Sequence, residues 1–141
     1  MNEILKRAKD ELTAGDFTLV LYDGDKFIHS HKRGIAPLVE LYLSGDDFSA
    51  FSAADKVVGR AAAFMYALLK VKSLYAKCIS APAIEVLKKS DIELDFGECT
   101  ERISSRDGKG LCPMESAVME IDSPIEAFCA ITKKQKELFR K

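Results

Sequence analysis

The chain opens on apolar residues at helical spacing and continues with two short β-rich runs. Residues 2–14 carry apolar side chains every three or four positions and are followed by Gly15, which predicts an amphipathic helix. Residues 17–22 and 26–31 flank an Asp-Gly turn. Because this dipeptide favours the tight turn between antiparallel strands, the two runs predict a β-hairpin.

The longest apolar stretch lies in the middle of the chain. Residues 52–71 would carry apolar side chains on nearly every side of a helix, and Ser52 and Asp55 have the spacing of an N-terminal capping pair. The pattern predicts a long helix buried on more than one side. Gly59 is unfavourable in a helix interior, so it predicts a close approach of another backbone or of a ligand.

Strands and helices alternate in the rest of the chain. A hairpin followed by such alternation predicts an α/β fold, in which a mixed sheet carries helices on both faces of one domain that spans residues 1–141. The further predicted elements are a short helix at about 38–45, strands at 73–79 and 92–96, and helices at 82–89, 113–120 and 124–139, with an irregular segment over 99–110.

Composition and charge narrow the class of protein. The net charge of −1 gives no reason to expect a nucleic-acid partner or an anionic membrane surface, and no apolar run is long enough to span a bilayer. The N-terminus has no signal-peptide pattern, and the four cysteines are widely spread. We therefore expect a cytoplasmic protein with free thiols and no bound cofactor. Asn2 and Gln135 are the only side-chain amides, which indicates a thermophilic source.

Two cations near the start of the predicted long helix form the first candidate site. On that helix Lys56 and Arg60 would share a face near the positive end of the helix dipole. Cations are unfavourable there unless an anion lies nearby. The pair therefore predicts a site for an anionic ligand, with Asp55 beside it. The alternative is an ordinary helix start, capped by Ser52.

A glycine-rich loop that runs into a helix forms the second candidate site. Pro113 is suited to the first helical position, which puts Cys112 at the N-cap and lets Glu115 act as its capping partner. A helix N-terminus lowers the pKa of a thiol and raises its reactivity, and Arg106 acts in the same direction. The alternative is purely structural, because residues 123–126 begin the next helix with the same Pro-x-Glu pattern.

Histidines and other cysteines give a third, weaker candidate. His29 and His31 alternate on a strand and share a face, so with a cysteine they could bind zinc, although a solvent-facing edge strand is the commoner explanation of such a pair. Cys99 follows a strand end, where sites of open α/β sheets lie. A metal site that joins cysteines such as Cys78 with Asp55 stays an open alternative.

The element order resembles that of the cytidine-deaminase-like fold: a helix, a β-hairpin, a buried second helix, a strand, a third helix and a strand. Residues 54–63 and 106–115 look like the two signature stretches of an uncharacterised prokaryotic domain family grouped with that fold. The resemblance covers nearly the whole chain and implies a three-layer α/β/α domain. It also implies a pocket at the starts of the second and third helices, and helical pairing between copies, as in a homo-oligomer.

The residues at the corresponding helix starts depart from those of a zinc deaminase. That enzyme has H-x-E or C-x-E at its second helix and P-C-x-x-C at its third. Here the predicted second helix starts at 55–57 and the third at 81–83, both without histidine or cysteine, so no zinc site of that kind is predicted.

The sequence instead predicts a non-zinc pocket for a nucleoside-like or anionic small molecule, in a Cys-dependent hydrolase or transferase. The alternative is a nucleotide-binding module without turnover. The predicted catalytic residues are Cys112, Asp55 and Lys56, and the predicted substrate-binding residues are Arg60, Cys99, Arg106 and Glu115.

Overall fold

The computed structural model describes residues 2–32, 35–101 and 113–139, which form a mixed sheet between two layers of helices. In chain order the elements are α1 (Glu3–Ala14), β1 (Leu19–Tyr22), β2 (Phe27–Ser30), α2 (Ala36–Ser44), β3 (Ser52–Val58), α3 (Arg60–Leu69), β4 (Ser73–Ser80), α4 (Ala81–Lys89), β5 (Glu93–Thr100), α5 (Pro113–Val118) and α6 (Pro124–Phe139).

The five strands lie in the order β2-β1-β3-β4-β5. β1 is antiparallel to both β2 and β3, whereas β3, β4 and β5 are parallel and are joined by α3 and α4. This mixed sheet with helices on both faces confirms the predicted fold class. The hairpin, the first helix and the last two helices are likewise confirmed.

A separate hydrophobic core lies on each face of the sheet. On one face α1 buries Leu5, Ala8 and Leu12 against the sheet. The larger core, on the other face, joins the sheet to α2, α3, α4, α5 and α6. Among the described helices, none combines the length and the apolar composition that a bilayer-spanning segment needs.

The predicted helix over residues 52–71 is wrong. Its first part is β3, the central strand, and only Arg60–Leu69 is helical. β3 is buried at three successive residues, Ser52 to Ala54, and its charged residues Asp55 and Lys56 are adjacent, so it lacks the alternation that marks a half-buried strand. Ser52 does not cap a helix: it is fully buried and its Oγ lies 2.5 Å from Oγ of Ser73 on β4. Gly59 makes the turn from strand to helix.

Candidate active site at the carboxyl edge of the sheet

The carboxyl ends of the three parallel strands meet at one edge of the sheet. β3 ends at Val58, β4 at Ser80 and β5 at Thr100. Both crossover helices start here, because α3 follows β3 after Gly59 alone and α4 follows β4 directly. Ligands of open α/β sheets bind outside such strand ends. This edge is therefore the place where the fold favours a site.

The ladder between the parallel strands is interrupted just before this edge. Between β3 and β4 the pairing runs to Asp55 and resumes at Val57, and the pairing between β4 and β5 skips one residue at the same level. Val58 packs into the same core as Ala53, although an odd separation puts two residues of a regular strand on opposite faces. The register is the same before and after this gap, so the interruption is a local irregularity of the ladder without an inserted residue.

Asp55 carries a partly buried carboxyl group immediately before this interruption of the ladder. Its Oδ2 accepts a hydrogen bond of 2.6 Å from the hydroxyl of Tyr66 on α3, and its Oδ1 accepts one of 3.3 Å from the N–H of Val57. Burial raises the pKa of Asp55 to about 6, and these hydrogen bonds limit the rise. A carboxyl group with such a pKa can both accept and return a proton near neutral pH.

Tyr66 fixes the position of this carboxyl group. The tyrosine is fully buried, and burial, with the charge of Asp55 in addition, raises the pKa of its hydroxyl well above the usual value. It therefore stays protonated and donates. Sequence reasoning missed Tyr66, which lies within the apolar stretch over residues 52–71. The available signal was the tyrosine itself, since a buried hydroxyl needs a hydrogen-bond partner.

Lys56 lies on the opposite side of β3 from Asp55. Its Nζ is 3.4 Å from Oδ1 of Asp16, the residue that follows Gly15 at the end of α1. The predicted helical i, i+4 pair of Lys56 and Arg60 is wrong, because Lys56 is in a strand. Neighbouring residues of a strand point to opposite faces. The structure therefore does not bring the side chains of Lys56 and Asp55 together.

A carboxylate of the protein itself occupies the start of α3. Oε1 of Glu115 accepts a hydrogen bond of 2.6 Å from the N–H of Arg60, and Oε2 accepts one of 2.8 Å from the N–H of Ala61. These are donors that a helix leaves unpaired at its N-terminus, where negative charge is favourable. Glu115, predicted to bind substrate and to cap its own helix, is buried and caps α3 instead.

Gly59 makes room for this carboxylate. A Cβ atom at this position would lie 2.5 Å from Cδ of Glu115, which is far inside van der Waals contact. The close approach that Gly59 predicts does occur, but the approaching group is a side-chain carboxylate, and the glycine lies at the start of a helix rather than in its interior. Gly59 and Glu115 therefore form one structural unit.

The guanidinium group of Arg60 holds the segment between α5 and α6. Its Nε donates to the carbonyl oxygen of Val118 at 3.1 Å. Its Nη2 donates to the carbonyl oxygen of Ile121 and lies 3.1 Å from Oδ1 of Asp122. The group also packs over the ring of Phe64. Arg60 thus binds α5 through both its backbone and its side chain.

We expect Arg60→Lys to lower the free energy of unfolding by about 1–3 kcal/mol, because an ammonium group cannot reproduce the planar fork that reaches two carbonyls and a carboxylate. Urea unfolding measures the loss. Lys56→Ala is the control, expected to change stability by no more than about 0.5 kcal/mol because its ion pair is exposed. Equal losses in the two variants would contradict the role given to Arg60.

The predicted cysteine and loop residues are only partly covered by the structure. Cys99 is exposed near the end of β5, and its Sγ lies 3.7 Å from the carbonyl oxygen of Thr100. Cys112 and Arg106 lie outside the described residues. Cys112 directly precedes Pro113, the first residue of α5, and is therefore within one helical turn of Glu115 in sequence.

The histidine pair does not form a shared metal site. The ring of Phe17 stacks against His29 at 4.2 Å and against His31 at 4.7 Å between centroids, so one aromatic ring contacts both imidazoles. His29 contacts Glu11, and His31 contacts the carbonyl oxygen of Asp16. Across residues 2–32, 35–101 and 113–139, no group of three or more His, Cys, Asp or Glu side chains is placed to hold a metal ion.

Comparison with known proteins identifies matches over most of the chain. Residues 7–135 match the family model described as TM1506, Domain of unknown function (DUF1893). The crystal structure of a DUF1893 family protein, TM1506 from Thermotoga maritima, is similar with a TM-score of 0.88 and 30% sequence identity, over 95% of this chain and 91% of that one. No curated protein matches the chain.

Proposed function

Because the chain belongs to the DUF1893 family of domains of unknown function, we propose its function from its own geometry: it is a small-molecule enzyme whose acid–base group is Asp55. The observation that carries this proposal is the partly buried carboxyl group that Tyr66 holds just before the interruption of the ladder between β3 and β4. An ionised carboxylate in such surroundings lowers stability at neutral pH. Groups retained at that cost are concentrated at functional sites.

The proposed ligand is a nucleoside-like small molecule that binds beside Asp55 near the carboxyl ends of the parallel strands. Asp55 precedes Val58, the last residue of β3, by three residues, roughly 10 Å along an extended strand. Cys112 is the proposed nucleophile because it directly precedes α5 in sequence, and Glu115 of α5 contacts the start of α3. Cys99 and Arg106 are the further proposed contacts.

We also propose that the fold is cytidine-deaminase-like, with its second helix at α2 rather than at residues 52–71. The observed order of helix, hairpin, helix, strand, helix and strand supports this reading. The two zinc-binding helix starts would then correspond to residues 33–38 and 58–62, which contain no histidine, cysteine or glutamate. The donor set at these positions does not fit zinc, and at the second of them Glu115 caps the helix.

One observation favours a binding module without turnover as the second candidate function. Three predicted site residues already contact other protein groups. Lys56 pairs with Asp16, Glu115 caps α3, and the side chain of Arg60 binds α5. A site with so few free reactive groups suits recognition better than chemistry. The ligand would be the same kind of polar small molecule, bound through Asp55.

A thermal-shift screen with nucleosides, nucleotides and related amides tests both proposals. We expect a hit to stabilise the wild-type protein, by about 2.7 kcal/mol at a hundredfold excess over its Kd, and to lose this effect with Asp55→Asn. Lys56→Ala is the control that keeps binding. Mass spectrometry of the incubated ligand then separates the functions, because product formation that Cys112→Ala abolishes indicates the enzyme. A ligand that stabilises the wild type and Asp55→Asn equally contradicts both.

A further inference from the structure

Helix α2 carries more apolar side chains than the rest of the described chain covers. Its residues include Pro37, Leu38 and Val39, which are buried, yet Leu43 on the same helix is 67% exposed. Leu41 and its neighbour Tyr42 are only partly covered. Apolar residues of a surface helix normally face the core, whereas Leu43 lies on the side of α2 that also carries the exposed Glu40. The described residues of this chain leave one side of α2 open.

That open side forms one wall of a groove. The residues that line it have helical spacing on two helices, with Ala36, Val39, Glu40 and Leu43 on α2 and Thr132, Gln135 and Lys136 on α6. Its volume is about 550 Å³. Next to the groove the two helices touch through an edge-to-face contact of Tyr42 with Phe128, whose ring centroids are 4.8 Å apart.

The charges on the two walls are complementary under a two-fold rotation. Glu40 lies on the α2 wall and Lys136 on the α6 wall, and both are exposed. A two-fold axis brings the same patch of two copies together, so each residue of a pair meets the other residue on the partner. We propose that this groove binds a second copy of the chain, with Glu40 against the partner's Lys136 and Leu43 buried between the copies.

This occupant fits better than a small ligand does. The two charged residues that line the groove, Glu40 and Lys136, are exposed, whereas ligand pockets have polar groups that converge on the ligand. Glu40 already contacts Lys32 at 2.8 Å, but that ion pair is exposed on both sides and is therefore weak. The proposed contact does not depend on the function proposed for the carboxyl edge.

Light scattering over a concentration series tests the contact. The wild type is expected at twice 15.6 kDa, about 31 kDa, and Leu43→Lys at the monomer mass. Met119→Lys is the matched control, since Met119 is exposed to a similar extent, 58%, on the α5 side, and this variant should stay dimeric. Circular dichroism confirms that each variant is folded. A wild type that stays at 15.6 kDa throughout, or a Leu43→Lys dimer, overturns the proposal.

Charge reversal then tests the pairing itself and does not depend on Leu43. Glu40→Lys and Lys136→Glu each place like charges together, and each is expected to weaken the dimer by about tenfold or more. An equimolar mixture of the two variants restores opposite charges at both contacts, so it should dimerise as the wild type does. Glu85→Lys, an exposed reversal on α4, is the control. A mixture no more dimeric than its components overturns the two-fold pairing.

Discussion

The change in the free energy of unfolding caused by Asp55→Asn is expected to be more favourable at pH 7 than at about pH 4, by up to about 3 kcal/mol. In the wild type, burial raises the pKa of this carboxyl group from 3.8 to about 6. Between these values the unfolded chain loses the proton while the folded chain keeps it, so stability falls as pH rises. Asparagine stays neutral, and the variant avoids this loss.

The comparison between two pH values isolates the charge. In the variant an amide N–H₂ can face the N–H of Val57, which costs stability, but that cost is the same at both pH values. Urea unfolding of wild type and variant at several pH values measures the difference. Asp47→Asn is the control: hydrogen bonds from Ser49 lower the pKa of Asp47 below 3.8, so the effect of this variant changes mainly below pH 4 and should stay nearly constant between pH 4 and pH 7. A difference between wild type and Asp55→Asn that does not change with pH contradicts the account.

Gly59→Ala is expected to lower the free energy of unfolding by about 3 kcal/mol, because the new methyl group displaces a buried carboxylate from two N–H donors. The methyl group would overlap the carboxylate of Glu115, and the N–H groups of Arg60 and Ala61 would lose their partner. Glu115→Ala removes the same two hydrogen bonds and is expected to cost about as much.

The double variant distinguishes this mechanism from two independent defects. Both changes remove the same interaction. The free energy of unfolding lost in the double variant should therefore be smaller than the sum of the two single losses by at least about 1.5 kcal/mol. Chemical unfolding of the four proteins completes the cycle. Additive losses would show that Gly59 is needed for some reason other than the approach of Glu115. Glu115→Gln, which keeps one acceptor oxygen, is expected to lie between wild type and Glu115→Ala.

The sequence predicted most elements because their signals are local. The Asp-Gly turn, the Pro-x-Glu helix starts and the alternation after residue 72 all appear as elements of the fold. The helix over residues 52–71 failed for the same reason. Three alanines follow Gly59 and Arg60, and two more lie in β3, so helix propensity is high on both sides of a one-residue junction. Only pairing with β1 and β4 makes the first half a strand.

The site could be predicted as a set of residues but not as an arrangement. Asp55 and Tyr66 are 11 residues apart, which is roughly 16 Å on one helix but allows a hydrogen bond across a strand–helix turn. The contact of Glu115 with Arg60 spans 55 residues, so no local pattern reports it. Sequence reasoning therefore identified Asp55, Arg60 and Glu115 and assigned the last two to a ligand rather than to each other.

The central claim is that Tyr66 and burial together hold the Asp55 carboxyl group at a pKa near neutrality. Carbon-detected NMR titration of the Asp55 side chain, in the wild type and in Tyr66→Phe, measures this directly. The account predicts a midpoint at about 6 in the wild type. It predicts a higher midpoint in Tyr66→Phe, which loses a hydrogen bond that favours the ionised form. A wild-type midpoint near 3.8, or one that Tyr66→Phe leaves unchanged, would contradict it.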